Sequence, residues 1–287
     1  MNTHPFYWSI RRELWEHRYI YLAPLAIAGV VLLAFLFYLF HLPNAVRTLT
    51  TLAPNSQREA LAQPFNFAAG AIMAVAFLIS IFYSIDALYG ERRDRSILFW
   101  KSMPVSDLTT VLSKASIPLA VIPLSAFVIT AATQTIMLVL SSLVLLANGL
   151  SVATLWTQLH LYQVLTILLY HLVTAHMLWY APFYAWLLLV SAWARRAPFI
   201  WGVLPPVAIG LFESSAFHSS HFFDLINDRY SVGSDTGASM MGDFPFHPGM
   251  HLDPAGFLTA PGLWLGLIAA AIFLAAATHL RRNREPI

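Results

Sequence analysis

Tyr19-Ile20-Tyr21-Leu22-Ala23-Pro24-Leu25-Ala26-Ile27-Ala28-Gly29-Val30-Val31-Leu32-Leu33-Ala34-Phe35-Leu36-Phe37-Tyr38-Leu39-Phe40 runs for 22 residues without a charge. A helix rises about 1.5 Å per residue, so this run is long enough to cross the roughly 30 Å hydrocarbon core of a bilayer. Arg11, Arg12 and Arg18 precede it, as basic residues precede a secretory signal. The apolar part, however, exceeds the about 7–15 residues of a signal h-region, and no small-residue cleavage site follows. It reads as a retained membrane span.

The rest of the chain agrees with that reading. Of its 287 residues, 58% are hydrophobic and only 10% charged, whereas a soluble domain carries about 25% charged residues. So little charge does not clothe a water-facing surface, which argues against a cytosolic enzyme, a nucleic-acid binder or a disordered scaffold. There is no cysteine, so disulfides, thiolate metal sites and cysteine nucleophiles are excluded.

Further apolar runs occupy 65–88, 115–147, 161–193, 198–212 and 257–280. Together with 19–40 they predict an all-α integral membrane protein of six spans, one transmembrane domain over 1–287. The third and fourth runs would each reach roughly 50 Å as unbroken helices. They must tilt, protrude or break, and Pro118, Pro123 and Pro182 mark where a break is expected. The fifth run is short and holds Pro205-Pro206, the pattern of a broken helix.

Basic residues orient such a chain. With the N-terminus inside, the inner segments hold Arg11, Arg12, Arg18, Arg92, Arg93, Arg95, Lys101, Lys114, Arg195, Arg196, Arg281, Arg282 and Arg284. Only Arg47, Arg58 and Arg229 fall outside. Both termini are therefore expected on the cytoplasmic side. Ahead of the first span, Tyr7, Ile10 and Leu14 recur at helical spacing among charges, so 1–18 reads as an amphipathic helix on the inner leaflet.

Between spans two and three, 89–107 reads Tyr89-Gly90-Glu91-Arg92-Arg93-Asp94-Arg95-Ser96-Ile97-Leu98-Phe99-Trp100-Lys101-Ser102-Met103-Pro104-Val105-Ser106-Asp107. Its first part alternates charge sign, as a solvated helix does. Its middle exposes Ile97, Leu98, Phe99 and Trp100. Pro104 stops the helix, and Ser106 or Asp107 can cap the next one. An apolar cluster framed by charge suits docking of a soluble partner. Packing on the inner leaflet explains it equally well.

This stretch resembles the loop after the second span in the permease subunits of ABC-2 type transporters, mainly bacterial exporters. Glu91-Arg92, Ser96-Ile97, Pro104-Val105-Ser106 and Lys114 match that family's pattern. Arg95 stands where the family often has Gly, and Leu98 where it often has Glu, so the chain resembles a divergent branch and the role of that Glu does not transfer. The resemblance implies a six-span permease in the bacterial inner membrane whose 89–107 segment is a coupling helix inserted into a separate ATPase subunit. Glu91, Arg92, Arg93, Ile97, Phe99, Trp100 and Pro104 would make that contact. Phe99 and Trp100 are expected to anchor it, with the basic residues mainly orienting the partner. It also implies a second permease copy or a homologue to complete the pathway, and membrane lipid around it.

No Gly-x-x-x-x-Gly-Lys-Ser/Thr loop occurs, so ATP and Mg are expected on the partner, with no cofactor in this chain. Nor does a Ser-His-Asp or paired-carboxylate set suggest catalysis. Gln134, His171, His176 and Glu213 are candidates to line a pathway, with Thr130 and Thr133 nearby; helix-to-helix hydrogen bonding is the plainer role for those inside the spans. The outer segment 213–256 contains His218-x-x-His221-x-x-Asp224 and His247-x-x-x-His251-x-Asp253. These spacings could suit a metal, but no recognised zinc signature is present. A water-facing gate or cap without metal is expected there. Two other classes stay open: a membrane-embedded metal-dependent hydrolase using those residues, and a non-transporting anchor or sensor subunit.

Overall fold

A computed structural model describes residues 5–49, 54–102, 105–224, 226 and 254–283. Among these there is no strand, and the helices in chain order are α1 Pro5–Glu16, α2 Tyr19–Leu39, α3 Leu42–Leu49, α4 Pro54–Asp86, α5 Tyr89–Arg93, α6 Ile97–Ser102, α7 Asp107–Ser116, α8 Ile122–Ala147, α9 Ala153–Leu159, α10 Leu161–His171, α11 Ala181–Trp193, α12 Pro198–Phe217, α13 Pro254–Thr259 and α14 Pro261–Asn283. Six helices are long and apolar enough to cross a membrane: Tyr19–Leu39, Ser56–Arg93, Asp107–Ala147, Leu155–Trp179, Pro198–Phe217 and Pro261–Asn283. The chain is a multi-pass membrane protein.

The centre of the bundle is α4, packed against α2, α8 and α11. Its buried face includes Ala76, Ser80 and Ser84, four residues apart. Small side chains at that spacing let neighbouring backbones approach closely. The Ser80 and Ser84 hydroxyls donate to the carbonyls of Ala76 and Ser80, at 2.9 and 2.7 Å, and so leave no polar group unpaired. By contrast, only 11% of the apolar window of α12 is buried, against 56% for the Ser56–Arg93 helix. The exposed side of α12, with Phe199, Ile200, Leu204, Leu211 and Phe212, is therefore lipid-facing in composition.

The first long run is accommodated by locally widened helix, and the second by widened helix followed by a break at Tyr180. A π-helical stretch, Ile117–Val121, carries Pro118 and joins α7 to α8. A second, Leu172–Trp179, joins α10 to Tyr180, and Pro182 follows as the second residue of α11. The run at 161–193 is thus divided, and α11 is a separate, largely buried helix packed on α14.

The expected break at Pro205-Pro206 does not occur: α12 is helical throughout. Pro206 has no N–H to offer the carbonyl of Gly202, four residues earlier. The indole of Trp186 on α11 donates to that carbonyl instead, at 3.0 Å. A neighbouring helix thereby restores the bond that proline removed, which is how proline is tolerated in membrane helices. The second span also begins earlier than its apolar run, at Pro54, and α3 was not marked by any apolar run.

Candidate functional site

Glu13 lies on the apolar side of α1, three residues after Ile10 and one before Leu14, both of which pack into the main apolar cluster. A carboxylate on that face is carried into the protein, and Glu13 is 0% exposed. Lys114 of α7 donates to its Oε1 at 2.9 Å, Arg12 donates to the same oxygen, and the hydroxyl of Tyr83 on α4 donates to Oε2 at 2.7 Å. Burial alone would push the Glu13 carboxyl up; Lys114 and then Arg12 outweigh it and hold it at about 2 instead of the ordinary 4.5.

Glu91 of α5 is the second buried acid. Its Oε1 lies 3.2 Å from Lys114 Nζ and 3.4 Å from Arg12 Nη2, and its Oε2 accepts from Arg281 of α14. Arg281 Nε reaches Asp107 Oδ1 at the start of α7, at 3.1 Å. Arg12, Lys114 and Arg281 thus face Glu13, Glu91 and Asp107, three cations against three anions. Such a set is stable only when every member is partnered, because an unpaired buried charge is so unfavourable. It ties α1, α4, α5, α7 and α14 together at one end of the bundle.

Arg92 completes that end. Buried at 2% exposure, it donates to the carbonyls of Ala192 and, at 2.6 Å, Ala194, at the C-terminal end of α11. In return, Ser191 Oγ accepts from the backbone N–H groups of Leu88 and Tyr89 at 2.9 and 2.8 Å. Carbonyls left over at a helix end are the groups a cation satisfies best. Hence α5 is locked to α11, and the stretch 89–93 is not the solvated helix its alternating charges suggest. Arg93 alone of this group behaves that way: it is 54% exposed, with Asp94 at 3.0 Å and Asp86 at 3.8 Å.

Beyond Arg95, which takes a left-handed backbone with φ +58°, α6 is mounted on the network. Ile97 is 1% exposed, correcting the expectation that it is free. Trp100 is half-buried, with the Arg12 guanidinium 3.9 Å above its ring. Lys101 Nζ donates to the Arg282 carbonyl at 3.3 Å. What α6 does present is Leu98 and Phe99, each 59% exposed. Pro104 lies outside the described residues. Ser106 caps α7, accepting from Thr109 N at 3.1 Å.

The remaining candidates do not join this site. Gln134 on α8 is 0% exposed; its amide nitrogen donates to the Phe65 carbonyl at 3.1 Å and its oxygen has no partner. It borders a small cavity with Phe65, Asn66, Leu138, Leu161 and Val164. His171 ends α10 and His176 lies in the π-helical stretch. The His176 ring meets Phe77 and Tyr180 edge-on at 6.2 and 5.8 Å, and one buried ring nitrogen of each histidine is unpartnered. Glu213 faces the turn after α12, accepting from Ser219 Oγ and Phe222 N, both at 2.8 Å. Among the described residues no three His, Asp or Glu side chains come together to hold a metal. His247, His251 and Asp253 lie outside them.

Sequence reasoning missed Glu13, Tyr83 and Arg281 as members of the site. The signal for Glu13 was its place between Ile10 and Leu14. Arg281 had none, since its partner Glu91 is 190 residues away. Set against protein families, characterised proteins and solved structures, the chain matches none.

Proposed function

We propose that this chain is the membrane-spanning subunit of an ATP-driven exporter of the ABC-2 type, working with a second permease copy and separate ATPase subunits that bind ATP and Mg. The observation that carries the reading is the Leu98–Phe99 pair, two large apolar side chains held in the open on a short helix. Their mount is stiff: Ile97 is buried beneath them, and Trp100 sits under Arg12. A partner pressing on α6 therefore acts through Arg12 and Glu91 on α1, α7 and α14 together, which is what coupling of ATPase closure to alternating access requires. Arg95 adds support. Its left-handed backbone falls where the resembled loop often has glycine, the residue that adopts this conformation without steric cost.

On this reading the end bearing Arg12, Arg92, Lys114 and Arg281 faces the cytoplasm of a bacterial inner membrane, in line with the basic bias. The contact to the ATPase is made by Leu98 and Phe99, while Glu91, Arg92, Ile97 and Trp100 hold α6 in place. The test is affinity purification of the tagged full-length chain in mild detergent, with the accompanying polypeptides identified. An ATPase subunit is expected with the parent protein and at least tenfold less with Leu98→Ser/Phe99→Ser, since truncated central anchors cost about 2 kcal/mol or more each. Equal ATPase recovery by parent and variant overturns the coupling role. Parent protein that carries no ATPase overturns the permease reading.

A further inference from the structure

We propose that the outward face of α1 binds the headgroup of an anionic phospholipid, with Arg11 as the ligand to its phosphate. Burial of Glu13 fixes the rotation of α1 about its axis. At 3.6 residues per turn, Trp8, Arg11 and Trp15 then fall on the side opposite Glu13. Trp8 is 53% and Trp15 63% exposed. The Arg11 guanidinium lies between them, 5.1 Å from the Trp8 ring and 4.6 Å from the Trp15 ring.

Two indoles flanking a guanidinium hold it in place and leave its N–H groups to a further partner, and a guanidinium engages a phosphate through two parallel hydrogen bonds. Arg11 has no carboxylate of its own among the described residues, because Glu13 and Glu16 are both turned to Arg12. Indole rings settle at the headgroup level of a bilayer, so the clamp stands where lipid phosphates are. The preference for a net negative headgroup follows from the neighbours. Arg18 is also exposed, and among the described residues of α1 the acids Glu13 and Glu16 lie toward Arg12, so this face offers no acid to the ammonium of a zwitterionic lipid. The inference needs only the membrane character of the chain, and stands whether or not an ATPase docks on α6.

The test uses the purified full-length protein in neutral detergent, titrated with short-chain phosphatidylglycerol, short-chain phosphatidylcholine or inorganic phosphate. Bound lipid is counted by native mass spectrometry and the melting temperature is followed in parallel. Phosphatidylglycerol should bind and raise the melting temperature, with the other two doing much less. Arg11→Gln should weaken phosphatidylglycerol binding about tenfold, the effect of one charge-assisted bidentate contact, while its lipid-free melting temperature stays at the parent's. Trp8→Leu/Trp15→Leu should weaken it too, and carries the test alone if Arg11→Gln does not fold. Undiminished phosphatidylglycerol binding by the variants overturns the proposal. So does equal binding of phosphatidylcholine, which reduces the face to general partitioning, and so does a matching response to inorganic phosphate, which makes it a simple anion site.

Discussion

The short helices α5 and α6 are separated only by Asp94, Arg95 and Ser96, and both look from their composition like pieces of one exposed loop. In the folded protein they differ in kind. On α5, Glu91 and Arg92 are buried, one inside an ion network and the other closing the end of α11. On α6, Leu98 and Phe99 stand in the open although they are apolar. The usual association of charge with solvent and apolar surface with the interior is reversed at Glu91 and Arg92 and again at Leu98 and Phe99. The difference teaches that here buried charged residues build the mount, and apolar residues are what it presents. Substitutions separate the two roles by their effect on folding.

Glu91→Ala should have the largest effect. It leaves Arg281 and Lys114 buried without one of their acids, and breaking a buried pair in this way costs about 3–5 kcal/mol. Thermal unfolding in detergent should show a large fall in melting temperature, and an unchanged one would mean that the network is open to water.

Acid should dissolve the same mount. Glu13 is held at about 2 against an ordinary 4.5, so its contribution is fully present above pH 4.5 and is lost as pH falls toward 2. At about 1.36 kcal/mol per pKa unit, that contribution is on the order of 3 kcal/mol. Glu13→Gln should flatten the stability profile in this window, and parallel profiles for parent and variant would contradict the pairing.

Arg92→Ala should cost about 2 kcal/mol, because two carbonyls at the end of α11 lose a charged donor. This reverses the expectation that Arg92 merely orients a partner; equal melting of the parent and variant would restore it. Arg95→Gly should stabilise by up to about 1 kcal/mol, since glycine takes φ +58° without the steric penalty that an L side chain meets. A loss of stability there would show that the Arg95 side chain matters more than its backbone. Leu98→Ser/Phe99→Ser should change the melting temperature least, within about 0.5 kcal/mol, while removing the proposed ATPase partner. A clear drop in stability would instead place both residues in a packing role.

How much of this was legible beforehand differs from residue to residue. The spans were readable because a bilayer imposes its requirement locally: about 20 apolar residues in succession satisfy it whatever the rest of the chain does. Tyr19–Leu39 accordingly falls almost on the apolar run that predicted it. The Ser106 cap was readable for the same reason, being a bond across three residues. The Leu98–Phe99 pair was identified as an apolar cluster, but its exposure was inferred for Ile97 and Trp100 as well.

What only the tertiary structure decided involves partners far apart in the chain. Whether Pro206 breaks α12 depends on the Trp186 indole reaching Gly202. Whether Glu91 is solvated or buried depends on Arg281, 190 residues later. Local sequence specifies which groups need satisfying, since proline always frees a carbonyl and a charge always needs a counter-charge or water. Which group answers that need is set by the packing of α7 against α1 and α14 and of α14 against α11, and the energy of an ion pair or a buried hydrogen bond exists only once that packing has excluded water from between them.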